Sequence, residues 1–126
     1  MMKPEERRKS KRREILEKFS FYVQIPKIGP SRHRVKDVSE SGIGFTIDTL
    51  GGAFKLEKGE TTELHFYLNQ SLYLSLMIEV VRHHQIQDEL DLGAIILDTK
   101  SEQYNTYLTL VKFLDQLGDF GHQDAG

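Results

Sequence analysis

Apolar and polar residues alternate along this chain in several short runs, and the pattern then switches to a helical period. Phe19, Phe21, Val23 and Ile25 alternate with Ser20, Tyr22 and Gln24, which predicts a half-buried strand closed by Pro26. Gly29-Pro30 marks a turn, and residues 31–38 read as a second strand, basic over much of its length. Residues 42–48 make a third. Leu50 to Gly59 is a loop punctuated by Gly51-Gly52 and Lys58-Gly59-Glu60. Thr61 to Leu68 is a fourth strand, with Leu64, Phe66 and Leu68 on one face. After the turn Asn69-Gln70-Ser71, the positions Leu72, Leu74, Leu76, Ile78 and Val80 alternate through a long fifth strand. The spacing places His83-His84-Gln85 at the start of the next connection and Glu89 to Leu97 in a sixth strand containing Gly93.

Tyr104, Tyr107, Leu108, Val111 and Leu114 then recur at helical spacing, with Ser101 as N-cap and Gly118 placed to end the helix. At the other end of the chain, Pro4-Glu5-Glu6 looks like a helix start. A helix running from there to about Lys18 would set Arg8 and Arg12 one turn apart on one face. Six short strands and one terminal helix predict a mainly β fold, a six-stranded antiparallel barrel with a C-terminal helix against it; a sandwich would use the same strands. The expected division is a basic arm over residues 1–18, the barrel with its helix over 19–118 and a flexible tail over 119–126.

Charge changes the picture because it is unevenly placed. Residues 1–36 hold 12 Lys/Arg and 4 Asp/Glu, a net of +8, whereas residues 37–126 hold 5 and 15, a net of −10. Residues 7–13 alone carry six cations in seven positions, and such an arm suits an anionic partner. The acidic body disfavours a nucleic acid in that role. With no cysteine there is neither a disulfide frame nor a thiolate metal site. The apolar runs are too short for a membrane span and the N-terminus lacks the apolar core of a signal peptide, so a cytoplasmic protein is expected. His83 and His84 are neighbours on an extended chain and face opposite ways, so no metal site is expected from them, and His33 reads as a surface residue. No nucleophile–base pair or phosphate loop supports catalysis, and the expectation is that the chain is not an enzyme.

The candidate chemistry lies at Asp37-Val38-Ser39-Glu40-Ser41-Gly42, a D-x-S-x-x-G run between the basic second strand and the third. On an extended backbone Asp37 and Ser39 share a face, and Gly42 is free to take positive φ for a sharp turn. The plain alternative is a local turn in which both side chains bond only to nearby backbone. The Arg8-x-x-x-Arg12 spacing in the arm, followed by a strand and then D-x-S-x-x-G, resembles the PilZ domain family, bacterial receptors for the second messenger cyclic di-GMP. The resemblance runs from about Arg7 to Leu117, and Leu92-Gly93-Ala94-Ile95-Ile96 is similar to that family's last barrel strand.

The resemblance implies a PilZ-like barrel and a ligand site made of Arg8 and Arg12, with Arg13 a further candidate, together with Asp37, Ser39 and Gly42. A guanidinium fork matches a phosphate or the O6/N7 edge of guanine, and a carboxylate accepts from the opposite guanine edge. It also implies cyclic di-GMP as ligand, no cofactor, and an unidentified protein effector to which an ordered arm relays the signal. One departure stands. The family's second arginine usually sits just before the first barrel strand, where this chain has Lys18, with Glu14 four residues earlier. Either the arm carries an extra helical turn, or the pair is degenerate and the chain is an adaptor that binds a protein without nucleotide. Arg32 and Arg34 also point towards the site if the second strand is extended.

Overall fold

Strands of alternating pattern must bury one face, and here they do so by closing on themselves. The computed structural model describes residues 21–48 and 56–124. Its strands are β1 (Tyr22–Gln24), β2 (His33–Val38), β3 (Gly42–Asp48), β4 (Thr61–Tyr67), β5 (Tyr73–Ile86) and β6 (Glu89–Ile96). They form a closed antiparallel barrel in the order β1-β2-β3-β6-β5-β4, so the predicted barrel is the one found. A 3-10 turn at Pro26–Ile28 leads from β1 towards β2. The last element is helix α1 (Glu102–Asp124).

The alternate positions meet inside. Val23, Val35, Val38, Ile43, Phe45, Ile47, Leu64, Phe66, Leu76, Ile78, Val80, Leu92 and Ala94 are all buried in the barrel core. Tyr107, Val111 and Leu114 of α1 join the same cluster, the i, i+4, i+7 face that the helical spacing predicts. Phe66 and Tyr107 meet edge-on with ring centroids 6.0 Å apart, a geometry worth about 0.5–1.5 kcal/mol beyond the area it buries. Ser101 caps the helix as expected, its Oγ accepting from the Tyr104 N–H at 3.1 Å.

Three expectations change. The fifth strand does not end before His83; it runs to Ile86, and its pairing with β6 continues through His83↔Leu92 and Ile86↔Glu89. A bulge between Val80 and Arg82 breaks the alternation there, and every residue from Val81 to Ile86 is exposed, so the strand loses its apolar signature while keeping its ladder. The hairpin turns at Gln87-Asp88, with Gln87 at φ 54°. His33 is not on the surface. It points inward from β2, is only 4% exposed, and burial pushes its imidazole below the usual histidine pKa. Finally, α1 continues through Gly118 rather than stopping there. A glycine inside a helix costs roughly 1 kcal/mol against alanine, which weakens a helix without ending it. Among the described residues no helix is long and apolar enough to cross a membrane.

Candidate functional site

The connection from β2 to β3 is the D-x-S-x-x-G run. Val38 pairs with Ile43 and both point inward, so the chain reverses across Ser39 to Gly42. The Ser39 N–H donates to the Gly42 carbonyl at 2.9 Å, and the Gly42 N–H donates back to Ser39 Oγ at 3.2 Å. The local turn is therefore real for Ser39, whose oxygen lone pair is engaged within the loop. Other elements hold the turn from outside. The Tyr107 hydroxyl lies 2.7 Å from the carbonyl oxygens of both Ser39 and Gly42. Tyr104 donates to the Glu40 carbonyl at 2.8 Å, and the Ile96 N–H to the Ser41 carbonyl at 3.0 Å. Helix α1 and strand β6 thus fix the backbone of the motif through four of its carbonyls.

Gly42 serves this arrangement differently from the sequence expectation. Among the described glycines only Gly29 and Gly59 have positive φ. A Cβ on Gly42 would stand 2.5 Å from the Ala94 carbonyl oxygen on β6. The position is glycine because strand β6 passes too close for any side chain, not because the turn needs a left-handed residue.

Asp37 lies on the outer wall of the barrel, in a row of paired residues that crosses four strands. Asp37 of β2 pairs with Gly44 of β3, Gly44 with Gly93 of β6, and Gly93 with Arg82 of β5. Paired residues point to the same face, so a carboxylate and a guanidinium flank two adjacent positions that have no side chain. Three strand spacings separate the two ends of the row, roughly 14 Å between backbones. Both ends follow a bulge, at Lys36 in β2 and at Val81 in β5, and bulges of this kind re-aim the next side chain. The result is a cleft of about 280 Å³ that Asp37, Ser39, Gly42, Gly44, Arg82 and Gly93 help to line.

Three charges in the cleft are coupled. Lys36 Nζ lies 3.5 Å and an Arg82 terminal nitrogen 3.8 Å from one and the same oxygen, Oδ1 of Asp91. The Arg82 side chain reaches this oxygen by lying across the glycines. A Cβ built on Gly93 would meet the Arg82 Cζ and Nε at 3.3 Å, and one on Gly44 would meet its terminal nitrogen at 3.6 Å. The cleft therefore brings a hydrogen-bond-accepting carboxylate, Asp37, together with two cations, Lys36 beside it on β2 and Arg82 reaching over the glycines from β5. That suits a planar ligand with donors on one edge and an anionic group beyond it.

Of the residues expected from sequence, Asp37, Ser39 and Gly42 come together at this cleft. Arg8, Arg12 and Arg13, with Glu14 and Lys18, lie outside the described residues. Arg32 and Arg34 do not line the cleft; Arg32 instead sits 4.5 Å over the ring of Tyr22 on β1. His83 and His84 are consecutive strand residues, and among the described residues no three His, Cys, Asp or Glu gather to hold a metal ion. Sequence reasoning missed Lys36, Arg82, Asp91, Gly44 and Gly93 as site residues. The signal available was an isolated glycine inside each of two strand patterns, which marks a close approach.

Comparison with known proteins agrees with the fold. The family described as PilZ domain matches residues 6–113. By sequence, no curated protein matches significantly. Among solved structures, the barrel is similar to the crystal structure of YcgR in complex with c-di-GMP from Escherichia coli, with a TM-score of 0.63 at 12% identity. That match covers 84% of this chain and 45% of YcgR, so the chain spans less than half of that protein. The separate PilZ domain of YcgR with c-di-GMP, also from Escherichia coli, gives a TM-score of 0.61 at 13% identity over 82% of this chain and 88% of that one. The Bacillus subtilis inhibitor of motility, MotI/DgrA, gives 0.54 at 13% identity over 76% and 44%.

Proposed function

This chain belongs to the PilZ domain family, and from that premise we propose that it is a cytoplasmic bacterial receptor for cyclic di-GMP that relays the signal to a protein partner. The observation that carries the proposal is Asp37 at one end of a row whose middle is two glycines, with Arg82 rooted at the other end and reaching back over them, and Lys36 in the same cleft. The Asp37 carboxylate accepts from guanine N1–H and the exocyclic amine, which no other common base presents together. The Ser39 hydroxyl keeps its hydrogen for the ligand, since its contact with the Gly42 carbonyl is a long 3.4 Å. Gly42 keeps the turn tight against β6. Arg8, Arg12 and Arg13 of the arm supply guanidinium forks for the phosphates or the purine face. Two solved complexes with c-di-GMP among the similar structures support the ligand class.

The output follows from charge. Six cations in residues 7–13 repel one another, and a dianionic ligand cancels that repulsion and draws the arm to the barrel wall. The surface presented to a partner changes with it. Membership of a family of binding domains favours a receptor over an enzyme. A second reading, an adaptor that binds a protein without nucleotide, is favoured by one observation: Glu14 and Lys18 stand where the family usually has its arginines.

Calorimetric titration with cyclic di-GMP decides between the two. The receptor reading expects saturable binding that Asp37→Ala weakens by about 1.5–3 kcal/mol, the cost of a charge-assisted contact. No heat at high ligand excess gives the adaptor reading instead.

A further inference from the structure

Resting on the receptor reading, we propose that Lys36 and Arg82 form a phosphate seat on the barrel wall, that the protein's own Asp91 carboxylate fills it in the ligand-free state, and that the ligand's phosphodiester takes its place. The geometry that points to this is the convergence of two cations from different strands on a single oxygen, Asp91 Oδ1. Both cations line the same cleft as Asp37. An anionic oxygen already sits where they meet, so the seat has the right sign for a phosphate oxygen.

The hold is loose. Tight N–H···O contacts between charged groups fall near 2.7–2.9 Å. Here the two separations are 3.5 and 3.8 Å. One carboxylate oxygen serves two cations at long range, whereas a phosphodiester offers two anionic oxygens and can serve each at full contact. The three groups also differ in freedom. The Asp91 side chain is 16% exposed and held within the wall, Lys36 is 36% and Arg82 57% exposed. The cations can therefore follow a ligand, while Asp91 stays beneath it as a like charge. Arg82 needs no new path, since its guanidinium already lies over Gly93 and reaches towards Gly44, on the Asp37 side.

Asp91 is then a built-in competitor. It keeps two cations from repelling each other when the cleft is empty, and it lowers the affinity of the filled one. The consequence runs against the usual effect of altering a site residue: removing this charge strengthens binding.

The test is titration calorimetry with cyclic di-GMP on the full chain and its Asp91→Asn, Arg82→Ala, Lys36→Ala and Asp37→Ala variants, each checked for folding by its melting curve. Asp91→Asn is expected to tighten binding about two- to fivefold, the scale of a partly exposed charge pair. Arg82→Ala is expected to weaken it roughly tenfold or more, and Lys36→Ala to weaken it less. Arg82→Gln, which keeps the cover over Gly93, replaces Arg82→Ala if the latter does not fold. Combining Asp91→Asn with Arg82→Ala should abolish most of the gain. If the unaltered chain binds and Asp37→Ala weakens it, but Asp91→Asn is neutral or weaker, or Arg82→Ala binds as well as the unaltered chain, the phosphate seat is wrong and the receptor reading stands. Absence of binding by the unaltered chain overturns both.

Discussion

The phenolic oxygen of Tyr107, on a side chain with no solvent exposure, lies 2.7 Å from the carbonyl oxygen of Ser39. It lies equally close to the Gly42 carbonyl, so a single hydroxyl hydrogen serves the two ends of the motif turn. With Tyr104 bonded to the Glu40 carbonyl, the helix thus helps to set the conformation of the loop it adjoins. Tyr107→Phe keeps the ring that packs against Phe66 and removes only the hydroxyl. It should destabilise the fold by about 1 kcal/mol, because the Ser39 carbonyl loses this donor while the Gly42 carbonyl keeps the Ser39 N–H. Denaturant unfolding measures this, and a change below about 0.5 kcal/mol would show that another group serves the Ser39 carbonyl.

Gly42→Ala should cost more than an ordinary strand substitution. The added methyl would meet the Ala94 carbonyl at 2.5 Å, and backbone cannot swing aside as a side chain can. Either β6 shifts or the turn opens, at about 1–3 kcal/mol. Gly44→Ala is the control, since its nearest neighbour would be the end of the flexible Arg82 side chain at 3.6 Å. Equal melting temperatures for the two variants would refute the steric account of Gly42.

His33 makes stability depend on pH. Burial lowers its folded pKa below the unfolded value of 6.5, so under acid conditions the unfolded chain binds a proton that the folded chain resists. Stability from this group is complete above about pH 6.5 and is lost as the pH falls through that value towards the folded pKa. His33→Gln removes the titration. The melting temperature of the unaltered protein should fall more between pH 7.5 and 5.5 than that of the variant. Parallel losses would assign the acid sensitivity to other groups.

The arm's register is settled by two substitutions in one buffer. If the arm carries an extra turn, Arg12→Ala should remove most cyclic di-GMP binding and Lys18→Ala little, since an ammonium cannot reproduce a guanidinium fork. If β1 fixes the register, Lys18→Ala is the more damaging change. Glu14→Arg with Lys18→Arg should then strengthen binding.

Much of this was legible in the chain, and what was not has a common cause. Alternation at period two, with turn signals between the runs, located the strands, and the spacing of Tyr107, Val111 and Leu114 located the helix. The D-x-S-x-x-G run marked the loop that meets the cleft. The far end of β5 was hidden because a bulge at Val81 and exposure on both faces erase the period. The reason for Gly42 lies in Ala94, and the role of Arg82 in its pairing with Gly93; both are matters of which strand lies beside which. Local pattern does not carry that information. His33 was misplaced because its residue type outweighed its position, although it alternates in step with the buried Val35.

Gly93 sets a height. A single methyl there would come within 3.2–3.3 Å of Arg82 at three of its atoms, so the side chain would have to give way and ride slightly higher. Nothing in the charge of the cleft would change, only its depth. Depth and charge are thus adjustable at separate positions, one on β6 at Gly93 and the others at Asp37, Lys36, Arg82 and Asp91. A wall of this kind can be refitted to ligands of different bulk without surrendering the groups that recognise them.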